Sequence, residues 1–345
     1  MALNYDFFSD LINSIGPSGY EADATAIWKK EVSKATKDIV IDNCGSGIAR
    51  LGPDGGPRIM ISTHIDEIGY IIKYINKEGY IYFETLGGID NHIMPGNRVR
   101  IKTAGGEVLG VIGRKPVHLI THKERDSVAK IENMWIDIGA SSDKEALKMV
   151  AIGDCAVPDV GFRLLGKDKV IGKGFDDRAC VFIMTEVMKS LAKEKQLSAQ
   201  VFGVATVQEE LGLRGARTAA YGIDPEIGIA MDVTFASDCP EIDKRKNGDI
   251  SLGKGPVIAR GPNIHHELFD RLVDTAKKNK IPYQIEASGR PTGTDANAIQ
   301  MTKSGIKTCL ISIPNRYMHT PVEVVCKKDL ENAVKLVTAF VKRIK

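Results

Sequence analysis

Ligand-type side chains recur immediately after short, strongly apolar runs. Arg58-Ile-Met-Ile-Ser-Thr63 leads into His64-Ile65-Asp66, and Val201-Phe-Gly-Val-Ala-Thr-Val207 leads into Gln208-Glu209-Glu210. Ile227-Gly-Ile-Ala-Met231 leads into Asp232, and Cys309-Leu-Ile-Ser-Ile313 leads, a few residues on, into His319. A fifth contributor, Asp176-Asp177 within Gly172-Lys-Gly-Phe-Asp176-Asp177-Arg178, stands just before the helical pattern from Cys180. Two imidazoles with at least three carboxylates make a nitrogen-and-oxygen donor field, suited to Zn²⁺, Co²⁺ or Mn²⁺ and too poor in sulfur for a structural zinc site. Two divalent ions with a bridging hydroxide come close to neutralising three carboxylates, so charge balance favours two metals over one.

Taken singly, each of these residues has an ordinary reading. A lone histidine after a strand is usually a hydrogen-bonded core or surface group, and Asp176-Asp177 fits a helix N-cap. Glu209-Glu210 fits a solvated loop pair, and Asp232 the opening of a turn. Their coincidence at one sheet edge makes a site, because ligands of open α/β sheets bind outside the carboxyl ends of the strands. Asp66, two residues after His64, points the same way in an extended segment and can orient the imidazole. Adjacent Glu209 and Glu210 cannot both bind one ion, so one binds metal while the other handles protons.

The elements that must position these groups are strands alternating with helices. Helical spacing covers Phe7 to Ile15 and Glu21 to Ala35 around a Gly-Pro-Ser-Gly break, then Cys180 to Lys193, Leu213 to Tyr221, Glu267 to Asn279 and Leu330 to Arg343. Continuously apolar strands at Gln200 to Thr206, Glu226 to Met231 and Thr308 to Ile313 imply burial on both faces, hence a largely parallel sheet covered by helices. The stretch from about Tyr70 to about Leu165 differs. Hairpin patterns at Ile71–Ile75 with Tyr80–Glu84, and at Arg98–Thr103 with Glu107–Ile112, follow one another with little helix beyond Asp143 to Met149. The expected organisation is a discontinuous α/β catalytic domain, residues 1–69 and 166–345, with a small β-barrel inserted at 70–165.

Composition narrows the partners. Lys+Arg 47 against Asp+Glu 44, without a long single-sign run, argues against nucleic acid or an anionic membrane surface. No basic leader opens the chain and no apolar stretch reaches the ~18 residues a bilayer demands, so a cytoplasmic protein is expected. The six scattered cysteines are expected to be reduced core residues. His265-His266-Glu267 lacks the second histidine a zincin helix needs, and His92, His118 and His122 fall in the insertion.

Six segments in order, Ser62-Thr-His64-Ile-Asp66-Glu67-Ile-Gly69, Gly174-Phe-Asp176-Asp177-Arg178, Val207-Gln-Glu209-Glu210-Leu-Gly212, Ala230-Met-Asp232-Val-Thr234, Thr292-Gly-Thr294-Asp295-Ala296 and Arg316-Tyr-Met-His319-Thr-Pro321, resemble the tetrahedral metallo-aminopeptidases. That family comprises glutamyl and deblocking aminopeptidases, some of whose members are labelled endoglucanases. The resemblance implies hydrolytic release of N-terminal amino acids from peptides. It makes Asp176 the carboxylate bridging two ions, with His64 and Asp232 completing one and Glu210 and His319 the other. It makes Glu209 the general base, Asp66 the residue that tunes His64, and Asp177 a mere helix-start residue; Thr294-Asp295 resembles a family segment that lines the substrate pocket, and reads equally well as an ordinary helix N-terminus. It also makes the β-rich insertion a dimerisation domain, with twelve-subunit assembly.

Two rivals stand against this. A glycosidase also uses paired carboxylates, but sugar grooves stack rings on aromatic side chains, and this chain has an aromatic fraction of 6% with two tryptophans. An inactive metal-binding assembly protein would be expected to lack the proton-transfer group, and Glu209 is present.

Overall fold

The computed structural model describes residues 3–194 and 196–344. The strands are, in chain order, β1 (Ile39–Ile41), β2 (Gly47–Leu51) and β3 (Arg58–His64); β4 (Gly69–Ile75), β5 (Ile81–Leu86), β6 (Arg98–Thr103), β7 (Gly106–Arg114), β8 (Met134–Asp137) and β9 (Cys155–Pro158); β10 (Arg163–Leu165) and β11 (Lys169–Gly172); and β12 (Gln200–Thr206), β13 (Ile227–Phe235), β14 (Val257–Arg260), β15 (Gln284–Ala287), β16 (Lys307–Asn315) and β17 (Glu323–Cys326).

Eight of them form one sheet in the order β1-β2-β12-β3-β13-β16-β14-β15. Its four central strands are parallel, as their continuous apolar runs require, because helices cover both faces. The flanks are mixed: β2 runs antiparallel to β12, and β14 antiparallel to β16. The helix Phe175–Leu191 lies across the centre with nearly every side chain buried, and Phe182 stacks on Phe8 at 4.7 Å between centroids. Burying one such ring contributes about 1.5–3 kcal/mol. No helix among the described residues is long and apolar enough to cross a membrane.

Between β3 and β10 the chain closes a six-stranded barrel, β4-β5-β8-β7-β6-β9. Alternation builds it: along β6, Val99 and Ile101 face a core shared with Tyr70, Ile72 and Ile136, while Arg98, Arg100 and Lys102 face outward. β10 pairs with β11 rather than with the barrel, and β11 pairs with β17, giving a separate three-stranded sheet under the site. All six cysteines are free, and Cys155, Cys180, Cys309 and Cys326 are buried as expected. Cys44 is exposed and Cys239 only partly covered, because both sit in loops outside the apolar strands.

One charged knot ties the N-terminal helices to the central one. Glu31, at the end of helix Ala22–Val32, accepts hydrogen bonds from Asn4 at 3.0 Å and Lys189 at 2.8 Å, and pairs with Lys34 at 2.6 Å. Burial pushes the Glu31 carboxyl up, but these donors outweigh it and hold the group down from 4.5 to about 2. A depressed carboxyl stabilises the fold above its unfolded pKa and loses that contribution as pH falls through the folded one. Glu31→Gln is therefore expected to cost about 1–3 kcal/mol at pH 7. The difference from wild type should shrink between pH 4.5 and 2 in urea titrations; a pH-independent difference would refute the ionic origin.

Candidate metal centre

Most of the ligand-type residues owe their places to a strand end or to the turn that follows it. β3 lies between β12 and β13, and Thr206 is in register with His64, so both strands deliver their ends to one point. Beyond β12, Gln208 adopts φ 55, and the turn closes when Gly212 and Leu213 donate to the Glu209 carbonyl. A non-glycine residue in the left-handed region is costly and marks a site held by its surroundings. His319 (φ 59) and Tyr317 (φ 63) repeat the pattern after β16. Asp232 is not at a strand end: β13 runs on to Phe235, so the aspartate projects from within it, in register with Ser312. Asp176 lies inside the first turn of the helix Phe175–Leu191, where Asp176 and Asp177 depart from helical angles across a cis peptide.

These placements converge. The His64 Nε2 lies 3.0 Å from Asp176 Oδ1, 4.0 Å from Asp232 Oδ1 and 3.9 Å from Glu209 Oε2. His319 Nε2 lies 3.2 Å from Asp176 Oδ2 and 3.2 Å from Glu210 Oε1. Asp176 thus presents one oxygen to each imidazole. One donor atom from each of His64, Asp176 and Glu210, and likewise of His64, Glu209 and Asp232, falls within 4.8 Å of the others in its group.

The other ring nitrogens are anchored, which aims both Nε2 atoms inward. His64 Nδ1 lies 3.2 Å from the Asp66 carbonyl and 3.5 Å from its carboxylate. His319 Nδ1 lies 2.7 Å from the carbonyl of Gly88, a residue between the barrel strands β5 and β6. Asp66 does more than orient His64. Its carboxylate also accepts the backbone N–H groups of Glu209 at 3.1 Å and Glu210 at 3.2 Å, and the Ser18 hydroxyl at 2.6 Å.

Three further carboxylates surround the centre. Glu323, at the start of β17, accepts the backbone N–H of Asp176 at 3.0 Å and of His319 at 2.9 Å, holding both from beneath. Nothing in the sequence singles it out, since the pairing of β11 with β17 that brings it there spans the whole catalytic half. Asp177 adds to an expectation: besides standing in the first turn of the helix, it is fully buried and accepts the His64 N–H at 3.2 Å, so it fixes the backbone of a residue in the site. Thr294 lines the adjoining cavity, whereas Asp295 lies behind it, bonded to Ser62 and Thr206 at 2.8 Å each. His92, His118, His122, His265 and His266 stand outside the converging groups.

The charge state shows what is missing from the balance. Burial, with Asp176 close by, holds Asp232 far above the ordinary carboxylate range. Burial also raises Glu209, against the pull of His64 and with the help of Asp232, Asp295 and Glu210. Hydrogen bonds donated to the Asp176 and Glu210 carboxylates raise His319 to about 11, and nearby carboxylates overcome burial to raise His64. Carboxylates outnumber cations here, a deficit that divalent ions would fill, and the donors are all nitrogen and oxygen. The residues present therefore fit a metal centre. It opens on a cavity of about 470 Å³ whose lining includes one aromatic ring, Phe235, a poor platform for a sugar chain.

Comparison with known proteins agrees with this chemistry. The sequence model of the M42 glutamyl aminopeptidases matches residues 45–336. The lysyl aminopeptidase of Pyrococcus furiosus is 39% identical, the match covering 99% of this chain and 98% of that protein. The crystal structure of the TET aminopeptidase from a marine sediment archaeon of the Thaumarchaeota superposes with a TM-score of 0.94 at 35% identity, over 99% of this chain and 96% of that one. The TET1 peptidase of Pyrococcus horikoshii, described as assembling into a tetrahedron or a large octahedral shell, gives 0.87 at 35% identity, over 97% and 98%. Sequence and fold together establish that the chain belongs to the M42 glutamyl aminopeptidase family and is a metal-dependent aminopeptidase, a peptide hydrolase.

Proposed function

We propose that the chain releases N-terminal residues from peptides at a dinuclear centre in which Asp176 bridges two divalent ions. His64 and Asp232 complete one ion's ligands, Glu210 and His319 the other's. The observation that carries this reading is the placement of Asp176, with Oδ1 3.0 Å from His64 Nε2 and Oδ2 3.2 Å from His319 Nε2. Zn²⁺ or Co²⁺ suits the donor set, and Mn²⁺ is compatible with it. When bound, such ions supply Lewis acidity that activates a water and polarises a carbonyl.

The remaining steps fall to the chain's own groups. Glu209 takes the proton of the attacking water on its carboxylate and passes it to the leaving amine nitrogen, the work of a general base and then acid. Asp66 holds the Glu209 and Glu210 amides and the His64 ring in one frame. The inserted barrel is assigned to self-association, first into dimers and then into a dodecamer; the tetrahedral and octahedral shells described for the Pyrococcus horikoshii relative support assembly as such. A cytoplasmic location is consistent with the cysteines, which are all free.

Chelation followed by reconstitution tests the centre. Stripped protein should lose hydrolysis of aminoacyl amides and regain it with Zn²⁺, Co²⁺ or Mn²⁺ at two ions per chain. Activity confined to N-acylated peptides, or cleavage of soluble cellulose by the stripped protein, would refute the assignment.

A further inference from the structure

Three consecutive backbone N–H groups in the turn after β12 are taken by carboxylates. Those of Glu209 and Glu210 go to Asp66, one to each of its oxygens, at 3.1 and 3.2 Å. The N–H just before them, that of Gln208, goes to a different residue, Oε1 of Glu21, at 3.1 Å. On the carbonyl side the turn closes on itself, with Gly212 and Leu213 donating to Glu209, Arg214 to Gln208 and Gly215 to Val207.

Glu21 is set up for this contact by the loop that precedes it. Gly19, at φ 89 in the left-handed region that glycine enters freely, brings its own N–H onto the same Oε1 at 2.7 Å. The loop is in turn stitched to the segment beyond β3. Ser18 N–H donates to the Glu67 carbonyl and Glu67 N–H to the Gly16 carbonyl, each at 3.2 Å, while the Ser18 hydroxyl reaches Asp66 at 2.6 Å. The two carboxylates that take the three amides are thereby tied to each other through residues 16–21. Glu21 is only 6% exposed and makes no salt bridge among the described residues. Burial pushes its carboxyl up to about 7 against the pull of the Gly19 N–H, and Asp66 adds to the rise. A dehydrated carboxyl without a cation is costly to keep, and what it does here is accept two backbone donors.

The contact matters because of the angle at Gln208. Its φ of 55 is a conformation that a residue with a side chain holds only when the surroundings impose it. Asp66 fixes the turn from Glu209 onward, but the angle at Gln208 sets how the chain leaves β12, and so the direction in which Glu209 enters the site. The Glu209 Oε2 stands 3.9 Å from His64 Nε2, and a small rotation one residue earlier would change that approach.

We propose that Glu21 is a positioning residue for the proton carrier: by accepting the Gln208 N–H it locks the left-handed turn that aims the Glu209 carboxyl group into the metal centre. The proposal rests on the role given to Glu209 above. It requires an oxygen acceptor at this point and enough length to reach it, not a negative charge.

Three variants of the full-length, metal-loaded protein separate these requirements. Glu21→Gln keeps the acceptor and the reach, Glu21→Met keeps the length without the acceptor, and Glu21→Asp keeps the charge but falls one methylene short. With an aminoacyl amide as substrate, Glu21→Gln should stay within about threefold of wild-type kcat. Glu21→Met and Glu21→Asp should lose about 10–100-fold in kcat with KM little changed and metal content unaltered. Hydrogen–deuterium exchange across residues 207–213 should quicken in the same two variants and not in Glu21→Gln. Should Glu21→Met fail to fold, Glu21→Asp against Glu21→Gln makes the same comparison. Wild-type kcat in Glu21→Met or Glu21→Asp, equal losses in all three variants, or a defect that tracks lost metal would overturn the proposal. If Glu209→Gln turns over like wild type, the role of Glu209 falls instead, and the exchange pattern alone decides whether Glu21 holds the turn.

Discussion

Glu209→Gln is expected to lower kcat by about 10³–10⁴-fold, with KM little changed and two ions still bound per chain. The substitution keeps the side chain's size, and the backbone that carries it stays anchored by the Glu209 N–H on Asp66 at 3.1 Å. Only the ability to accept a proton is lost. The measurement also settles a geometric ambiguity, since Glu209 converges with His64 and Asp232 as closely as a ligand would. If Glu209 binds metal, the glutamine variant loses an ion along with its activity. Retained stoichiometry with lost turnover identifies the proton carrier, and wild-type turnover ends the proposal.

Asp176→Asn should do damage of a different kind. An amide presents one oxygen and one NH₂ where the carboxylate presents two oxygens, so it cannot serve both imidazole sides equally. The change also removes one negative charge from a group wedged between two histidines. Metal content should drop from two ions per chain to one or fewer, and kcat/KM by roughly 10⁴-fold or more. The backbone is spared, because Glu323 still accepts the N–H of residue 176. Metal analysis across a titration of added Zn²⁺ or Co²⁺ reads the first effect and amide hydrolysis the second. Two ions held at wild-type affinity would refute the bridging role.

Much of the site was legible in the sequence because its parts follow buried strands. Gln200–Thr206 appears as a strand with its expected bounds, since an unbroken apolar run between polar residues leaves few alternatives. His64, Glu209 and Glu210 then fall at strand ends by simple continuation. Asp232 joins the converging groups from within a strand rather than at its end, because the apolar-polar alternation Val233-Thr234-Phe235 extends β13 past it. The strand β15 was missed, since it is four residues long, half polar, and becomes a strand only by pairing with β14. Asp177 and Glu323 were illegible for a related reason: their role is to accept backbone N–H groups of residues 113 and 147 positions away along the chain. No local pattern encodes that kind of partnership.

The bond from His319 to the Gly88 carbonyl, 2.7 Å long, has an implication for modularity. The barrel looks detachable, with its own core and both ends meeting the sheet close together. Yet one of its loops supplies the acceptor that fixes which nitrogen of His319 is left to face Asp176. Excising only the barrel strands, from Gly69 to Pro158, would therefore leave the sheet and Asp66 in place but a histidine free to turn. If copies of the chain associate through the barrel, a tilt of it would reach the reaction centre through the Gly88 carbonyl, and assembly state and turnover would be two readings of one joint.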